Sequence, residues 1–453
     1  MKRSQVDFFE GPLLKNIIIY TVPIILTSVL QLLFNAADLI VVGRFAENGS
    51  LSVGAVGATS ALIHLLVNFF IGLSVGVCVT IAQGLGSGDI KNVQDSVHTT
   101  IPTAVICGAI ITVIGCLFSK TFLELMGTPE DVLPLADIYI KIYFLGMIPS
   151  MLYNFASAIL RAAGNTQDPL IYLVIAGVLN VILNLIFVIA LKMDVAGVAL
   201  ATTLSQIVSA VLAVIALTKR TDACQFRLKD MRIDIGSLKK ILSIGIPAGI
   251  QSAMFNIANV LIQSSINSFG TVAVAGSSAA GNIEGFVYVA MNAFQQTVLN
   301  FSGQNFGAKN YKRLKKSIYL SLACVSVVGI ITGTLAYIFG RQLLGIYITD
   351  SEEAIKYGLM RMVTVCLPYF LCGIMEVITG ALRGIGSSAT PMIITVVGVC
   401  VMRIVWIYTV FASNKTLTCL FLSYPISWAL TFIAETIAFI IIWSRKKKML
   451  QEA

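Results

Sequence analysis

The sequence predicts an all-α integral membrane protein of about twelve transmembrane helices. They fall into two six-helix lobes related by a pseudo-two-fold axis along the membrane normal. Three observations predict this. The 453-residue chain is 57% hydrophobic and only 12% charged, where a soluble domain carries about 25% charged residues. Its apolar runs reach the ~20 residues that cross a bilayer, as in "IPTAVICGAIITVIGCLFS" (101–119) and "LIYLVIAGVLNVILNLIFVIAL" (170–191). The stretch "LRAAGNTQDP" (160–169) also recurs as "LRGIGSSATP" (382–391), with Arg161 and Arg383, Gly164 and Gly386, and Pro169 and Pro391 at one common offset.

Hydropathy places the first six spans at 16–41, 52–82, 96–118, 134–156, 168–191 and 195–217. The second six fall at 240–268, 272–300, 317–340, 356–381, 389–411 and 418–443. A polar, basic stretch at 218–239, "TKRTDACQFRLKDMRIDIGSLK", separates the two sets. The expected domains are an N-lobe over 1–217, a linker over 218–239 and a C-lobe over 240–453. Further landmarks repeat at nearly the same offset: Pro23 with Pro247, "QGLG" (83–86) with "QNFG" (304–307), and Pro149 with Pro368. Several matches at one offset argue for a duplicated six-span unit. Six is even, so both copies enter the membrane from the same side, which gives the axis along the normal. Two such lobes around a midplane cavity are a transporter architecture.

Basic residues gather at the N-terminus and after even-numbered spans. Lys219, Arg220, Arg227, Lys229 and Arg232 lie in the linker, Lys309, Lys312, Arg313, Lys315 and Lys316 after span eight, and Arg445–Lys448 at the end. Few stand on the other side, among them Arg44, Lys120, Lys192 and Arg361. The asymmetry predicts both termini in the cytoplasm. It also explains the formal charge of +9 without a nucleic-acid partner. The opening "MKRSQVDFFEGPLLKN" shows no short apolar region followed by a small-residue cleavage site, so the first apolar segment reads as a retained span. The nine cysteines lie mostly in apolar runs and show no metal-ligand spacing, as expected of small buried side chains in a reducing compartment.

No G-x-x-x-x-G-K-[ST] loop occurs, so the sequence offers no nucleotide-driven pump. His64 and His98 are the only histidines, and no constellation suggests a membrane enzyme. Within a bilayer an ionisable side chain costs roughly 2.5–3.5 kcal/mol on insertion scales, so each deep one calls for an explanation. Asp38 lies in an apolar run, one turn after Asn35. A carboxyl group there can exchange a proton with changing surroundings, or ligate Na⁺ through oxygen. It could instead be a structural acid held by a neighbouring amide. Asn180 and Asn184 share a face of span five, and Thr202 and Thr203 on span six could add oxygens. In span eight Glu284 lies between Asn282 and Asn292, with Tyr288 one turn on; it could couple to a cation or pair with a cationic substrate. Glu376 shares a helix face with Arg383 near the end of span ten and reads as structural. Arg403 and Glu435 are both deep and are expected to neutralise each other. His64 reads as a packing residue more readily than as a proton relay. Asn35, Tyr153, Tyr288, Met291 and Asn256 are candidates to line a substrate cavity, since aromatic and sulphur side chains suit promiscuous binding of cations.

In combination, "LRAAGNTQDP", "LRGIGSSATP", "NAADLIVVGRF" (35–45), "AQGLGSGD" (82–89), "FSGQNFGAKN" (301–310) and "NVILNLIFV" (180–188) resemble the multidrug and toxic compound extrusion (MATE) family over essentially the whole chain. The resemblance implies a twelve-helix antiporter, coupled to H⁺ or Na⁺ with no other cofactor, that exports amphipathic, often cationic organic compounds by rocking two lobes about a central cavity. It implies a multi-pass protein of the cell membrane, working as a monomer. It makes Asp38 the coupling carboxylate; Asn180, Asn184, Thr202 and Glu284 stand as further cation-coupling candidates on their own chemistry and placement. Pro23 would kink span one as Asp38 titrates, or would bend it statically. Many members carry Asp where this chain has Asn184, and others place C-lobe acids on spans seven and ten, so Glu284 rests on its depth alone. Arg161, Gly164, Arg383 and Gly386 would form matched hinges in cytoplasmic loops. The alternative is a lipid-linked oligosaccharide flippase of the same superfamily. It is disfavoured because the deep charges read from sequence are mostly acidic, and a pyrophosphate calls for basic ones.

Overall fold

The structure, a computed structural model, describes residues 5–46, 49–349 and 351–452. Among these residues every long element is a helix. The first six spans are carried by α1 (Leu13–Phe45), α2 (Gly49–Ser87), α3 (Ile90–Leu125), the pair α4 (Leu133–Leu145) and α5 (Met147–Ala162), α6 (Gln167–Ala190) and α7 (Asp194–Thr218). The second six are carried by α8 (Ile235–Asn267), α9 (Thr271–Gly307), α10 (Tyr311–Ile338) with the short α11 (Gly340–Tyr347), the pair α12 (Glu352–Cys366) and α13 (Tyr369–Gly384), α14 (Ala389–Phe411) and α15 (Leu417–Glu452).

Nine helices among the described residues are long and apolar enough to cross a membrane, and two bent pairs bring the number to eleven. The bends answer each other in the two halves. α4 and α5 meet at 46° beside Gly146, and α12 and α13 meet at 42° beside Pro368. α9 is the twelfth long helix, and its polar side chains, Glu284 and a row of amides, keep it out of that group. α1 runs unbroken through Pro23, and α8 through Pro247.

The chain divides into two compact units. The first holds the segment up to Asp7 and Val22–Gly249, and the second holds Phe8–Thr21 and Ile250–Ala453. The division thus falls inside α1 and α8, and residues 218–239 group with the first unit. Hydrogen bonds show why. Arg227 N–H donates to His98 Nε2 at 3.2 Å, and Asp234 N–H to Thr99 Oγ1 at 2.9 Å. Ser96 and Ser237 are 3.3 Å apart, and Arg232 pairs with Asp95. The basic stretch is strapped along the start of α3. The orientation expected from the basic residues draws partly on Lys2 and Arg3, which lie outside the described residues.

The duplicated signature closes a helix the same way in each unit. Gly164 and Gly386 both take φ +84°. Asn165 N–H reaches back to the Leu160 carbonyl and Ser387 N–H to that of Leu382, each at 2.9 Å. This is the six-to-one bond that ends a helix on a left-handed residue. The next helix starts from the same positions. Asn165 exchanges two hydrogen bonds with Asp168, and the Ser387 and Thr390 hydroxyls are 3.0 Å apart. Pro169 and Pro391 follow within the first turn, where no intrahelical donor is lost. A second matched turn precedes α3 and α10: Asp89 caps Asn92 N–H after left-handed Gly88, and Asn310 caps Arg313 N–H after left-handed Lys309. One expectation changes here. Arg161 and Arg383 stand in the last turns of α5 and α13, not in loops, and Arg383 is buried.

Replacing Gly386 with Ala forces a Cβ into the left-handed region at a cost of about 1–2 kcal/mol. The melting midpoint of purified Gly386→Ala should fall, and Gly386→Asn should recover part of the loss, because Asn tolerates that conformation. Equal midpoints for all three proteins would contradict this assignment of the turn.

Candidate functional site

The first unit closes a ring of four polar side chains from three helices. Asp38 comes from α1, Asn180 and Asn184 from α6, and Thr202 from α7. Asn184 Nδ2 donates to Asp38 Oδ1 at 2.5 Å and to Asn180 Oδ1 at 3.2 Å. Asn180 Nδ2 donates to Thr202 Oγ1 at 3.2 Å, and Thr202 Oγ1 donates to Asp38 Oδ2 at 3.3 Å. Asp38, Asn180 and Asn184 are buried, Asn184 completely. Both oxygens of Asp38 therefore have a hydrogen-bond partner.

Local structure sets this geometry. Asn180 and Asn184 lie one turn apart and face the same way. Immediately after Asn184 the backbone widens into a π-helical stretch, Leu185–Ala190, with Leu191 N–H bonding five residues back to Ile186. Such wide turns re-aim side chains and recur at functional sites. α7 then starts at Asp194, whose carboxylate accepts from Ser52 of α2 at 2.6 Å and fixes the register that brings Thr202 to Asp38. Thr203 faces elsewhere and bonds the Ile142 carbonyl at 3.1 Å.

One atom of the ring is unanswered. Asn184 Oδ1 is buried with no hydrogen-bond partner. It sits on the side chain that already donates twice, so it can only accept. Asp38, Asn180 and Thr202 bring further oxygens to the same ring. Hard cations take such ligands. Protonating Asp38 turns one acceptor into a donor, so at least one of its two bonds must break or reverse. Each bond to the charged group is worth about 1.5–3 kcal/mol.

In the second unit one deep acid is answered by an arginine. Glu284 on α9 pairs with Arg361 on α12, Nε to Oε1 at 2.6 Å and Nη2 to Oε2 at 2.9 Å. The third nitrogen of Arg361 bonds Ser277 Oγ at 2.7 Å. Here the π-helical stretch Met362–Cys366 follows Arg361 directly. Sequence reasoning placed Arg361 outside the membrane, at the polar start of span ten, and so missed the partner of Glu284. The signal available was the cost of an unpaired glutamate at that depth.

The expected pairing of Arg403 with Glu435 is not made. Glu435 accepts from Thr379 at 2.9 Å and from Thr395 at 3.1 Å. Arg403 bonds Ser427 Oγ at 3.2 Å and Asn259 Oδ1 at 3.3 Å, and stacks on Tyr424. Short polar side chains take up Glu435 and two of the three guanidinium nitrogens of Arg403, and the opposite charges do not meet. Arg383 donates to Gln251 at 2.8 Å, Gln251 donates to Thr395 at 2.9 Å, and Glu376 accepts from Gln295. Three arginines are thus buried alongside three glutamates in this unit, so its deep charges are not mostly acidic.

The cavity candidates divide. Tyr153 is buried, and its hydroxyl bonds the Pro169 carbonyl at 2.9 Å, stapling α5 to α6. Met291 is fully buried against Gly373, where an added Cβ would come within 2.4 Å of its sulphur. Both belong to helix packing. Asn256 is half-buried and bonds Ser252 on its own helix at 3.1 Å. Asn35 and Tyr288 are exposed, as is His64.

The MatE family model matches residues 23–186 and again 247–409, so its two matches begin at Pro23 and Pro247. The chain is 25% identical to a probable multidrug resistance protein, YoeA, of Bacillus subtilis (strain 168), over 96% of this chain and 95% of that one. It is 27% identical to a second protein of that name and organism, YpnP, over 88% of each. A crystal structure of MATE in complex with MaL6 superposes with a TM-score of 0.90 at 22% identity, covering 99% of this chain and 100% of that one.

Breaking a buried ion pair from one side strands the other charge, at about 3–5 kcal/mol, whereas replacing both partners by apolar groups is often neutral. Glu284→Gln should lower the melting midpoint sharply, and the double variant Glu284→Met, Arg361→Met should regain most of it. If the double variant is less stable than Glu284→Gln, the pair does more than neutralise itself.

Proposed function

The chain belongs to the MatE family, and on that premise we propose that it is a secondary antiporter exporting amphipathic organic cations in exchange for H⁺ or Na⁺. It does so by alternating access, as a single chain in the plasma membrane with both termini in the cytoplasm. The relatives named as multidrug resistance proteins support the substrate class. One charge moved across 100 mV supplies about 2.3 kcal/mol, which is the driving force such a protein needs in place of nucleotide hydrolysis.

The observation that carries the reading is the ring around Asp38 with its unanswered acceptor, Asn184 Oδ1. A ring closed around a carboxyl group has two states. Empty of cation, it holds α1, α6 and α7 together through Asp38. With a proton on Asp38, or a Na⁺ among the ring's oxygens, the bonds from Asn184 and Thr202 redistribute and the three helices lose that register. Coupling on this reading is a change of hydrogen-bond partners. Asn184 takes part as donor and acceptor though it cannot titrate, so one carboxylate suffices. The flippase reading gains nothing from the buried arginines already engaged, since Arg361 is committed to Glu284.

The test is dye efflux from everted vesicles. Asp38→Asn should lose gradient-driven efflux at least tenfold while still reaching the membrane. Replacing Na⁺ by K⁺ at a fixed proton gradient then identifies the ion: efflux lost with the sodium means Na⁺, and efflux retained means H⁺. Undiminished efflux from Asp38→Asn would remove Asp38 from coupling.

A further inference from the structure

We propose that Arg403 and Trp428 together hold a small anion, a halide or a carboxylate, inside the second unit. Arg403 is 1% exposed and is the bulkiest of the fully buried side chains. A guanidinium carries only donors and stays charged. Its Nε and Nη1 reach Ser427 and Asn259, but Nη2 is buried without a partner. Arg361, in the same unit, is matched by Glu284. Neither hydrogen-bond partner of Arg403 carries a charge. The Tyr424 ring lies 4.1 Å from the guanidinium carbon; it attracts the cation without neutralising it.

A second orphan packs against the same tyrosine ring. Trp428 follows Ser427, the residue Arg403 bonds, and its ring packs 5.9 Å from Tyr424 and 4.9 Å from Tyr369. It is buried, and its indole Nε1 has no partner. An indole nitrogen only donates. Arg403 and Trp428 thus pack against the same ring, Tyr424, each with a buried donor that no protein group answers. A water molecule would satisfy the donors and leave the charge; an anion answers both. The backbone is also distorted at this point. Arg403 occupies the short α-helical stretch Met402–Trp406, between π-helical stretches Val396–Val401 and Ile407–Phe411, a local widening that recurs where helices bind ligands. The proposal stands apart from the Asp38 cluster, which lies in the other unit and takes a cation.

A ligand that binds only the folded state raises the melting midpoint saturably. Purified full-length protein in detergent is melted in rising chloride or rising acetate, with ionic strength held constant by a bulky sulfonate. The wild-type midpoint should climb and level off. Arg403→Met should show no dependence on the anion, whatever its own baseline. Trp428→Phe keeps the ring packing and should raise the half-saturating concentration about tenfold, which decides the matter if Arg403→Met does not fold. A response to chloride alone identifies a free halide; a response to acetate as well identifies a carboxylate as an acceptable ligand. A wild-type midpoint indifferent to both anions, or a response preserved in Trp428→Phe, would overturn the proposal.

Discussion

Asp38 is a carboxylate answered by one amide, Asn184, and one hydroxyl, Thr202, with Asn180 bonded to both of these, and the first unit is built to keep it answered. Three helices contribute, and each fixes its own contribution by a local device. α1 carries the acid through an unbroken run past Pro23. α6 widens immediately after Asn184. α7 is registered by Asp194 against Ser52. A charge this deep is tolerable only while its acceptors are used. Any change in the charge of Asp38 therefore acts on the packing of all three helices at once, as the proposed coupling requires.

The second unit treats charge differently. Glu284 is closed by a bidentate arginine with a third bond to Ser277. Glu435 is closed by two threonines, and Gln251 links Arg383 to one of them. These groups are bonded to fixed protein partners, and none retains the open acceptor that Asn184 offers. The open positions among these charges are donors, Nε of Arg383 and Nη2 of Arg403, and Arg403 has no carboxylate bonded to it. The two unsatisfied polar sites of most chemical consequence thus ask for ligands of opposite charge, one in each unit.

Much of the fold was legible in the sequence, because in a bilayer the backbone must bond within its own helix and length and hydropathy become decisive. The duplicated signature was legible down to atoms. The Gly in "LRAAG" and "LRGIG" announced a left-handed cap, and both copies make the same six-to-one bond. The ring around Asp38 was legible in part, since Asn180, Asn184 and Thr202 were all singled out, but the orphaned oxygen of Asn184 depends on which way an amide points. Partners across helices were not legible. Arg361 sits in a polar stretch that reads as a loop, and Arg403 and Glu435 share a depth but not a contact. The π-helical stretches were also invisible. A widened turn leaves no mark on hydrophobic period over so few residues, yet it decides where Asn184, Arg361 and Arg403 stand.

The central claim is that a cation at Asp38 and an organic cation exclude each other. The most direct measurement is the ion released when an amphipathic cation is added to weakly buffered, detergent-solubilised protein, read with pH and Na⁺ electrodes together. Wild type should release H⁺ or Na⁺ in proportion to compound bound, and Asp38→Asn should bind the compound and release neither. Equal release from Asp38→Asn, or binding to wild type with no release at all, would contradict it.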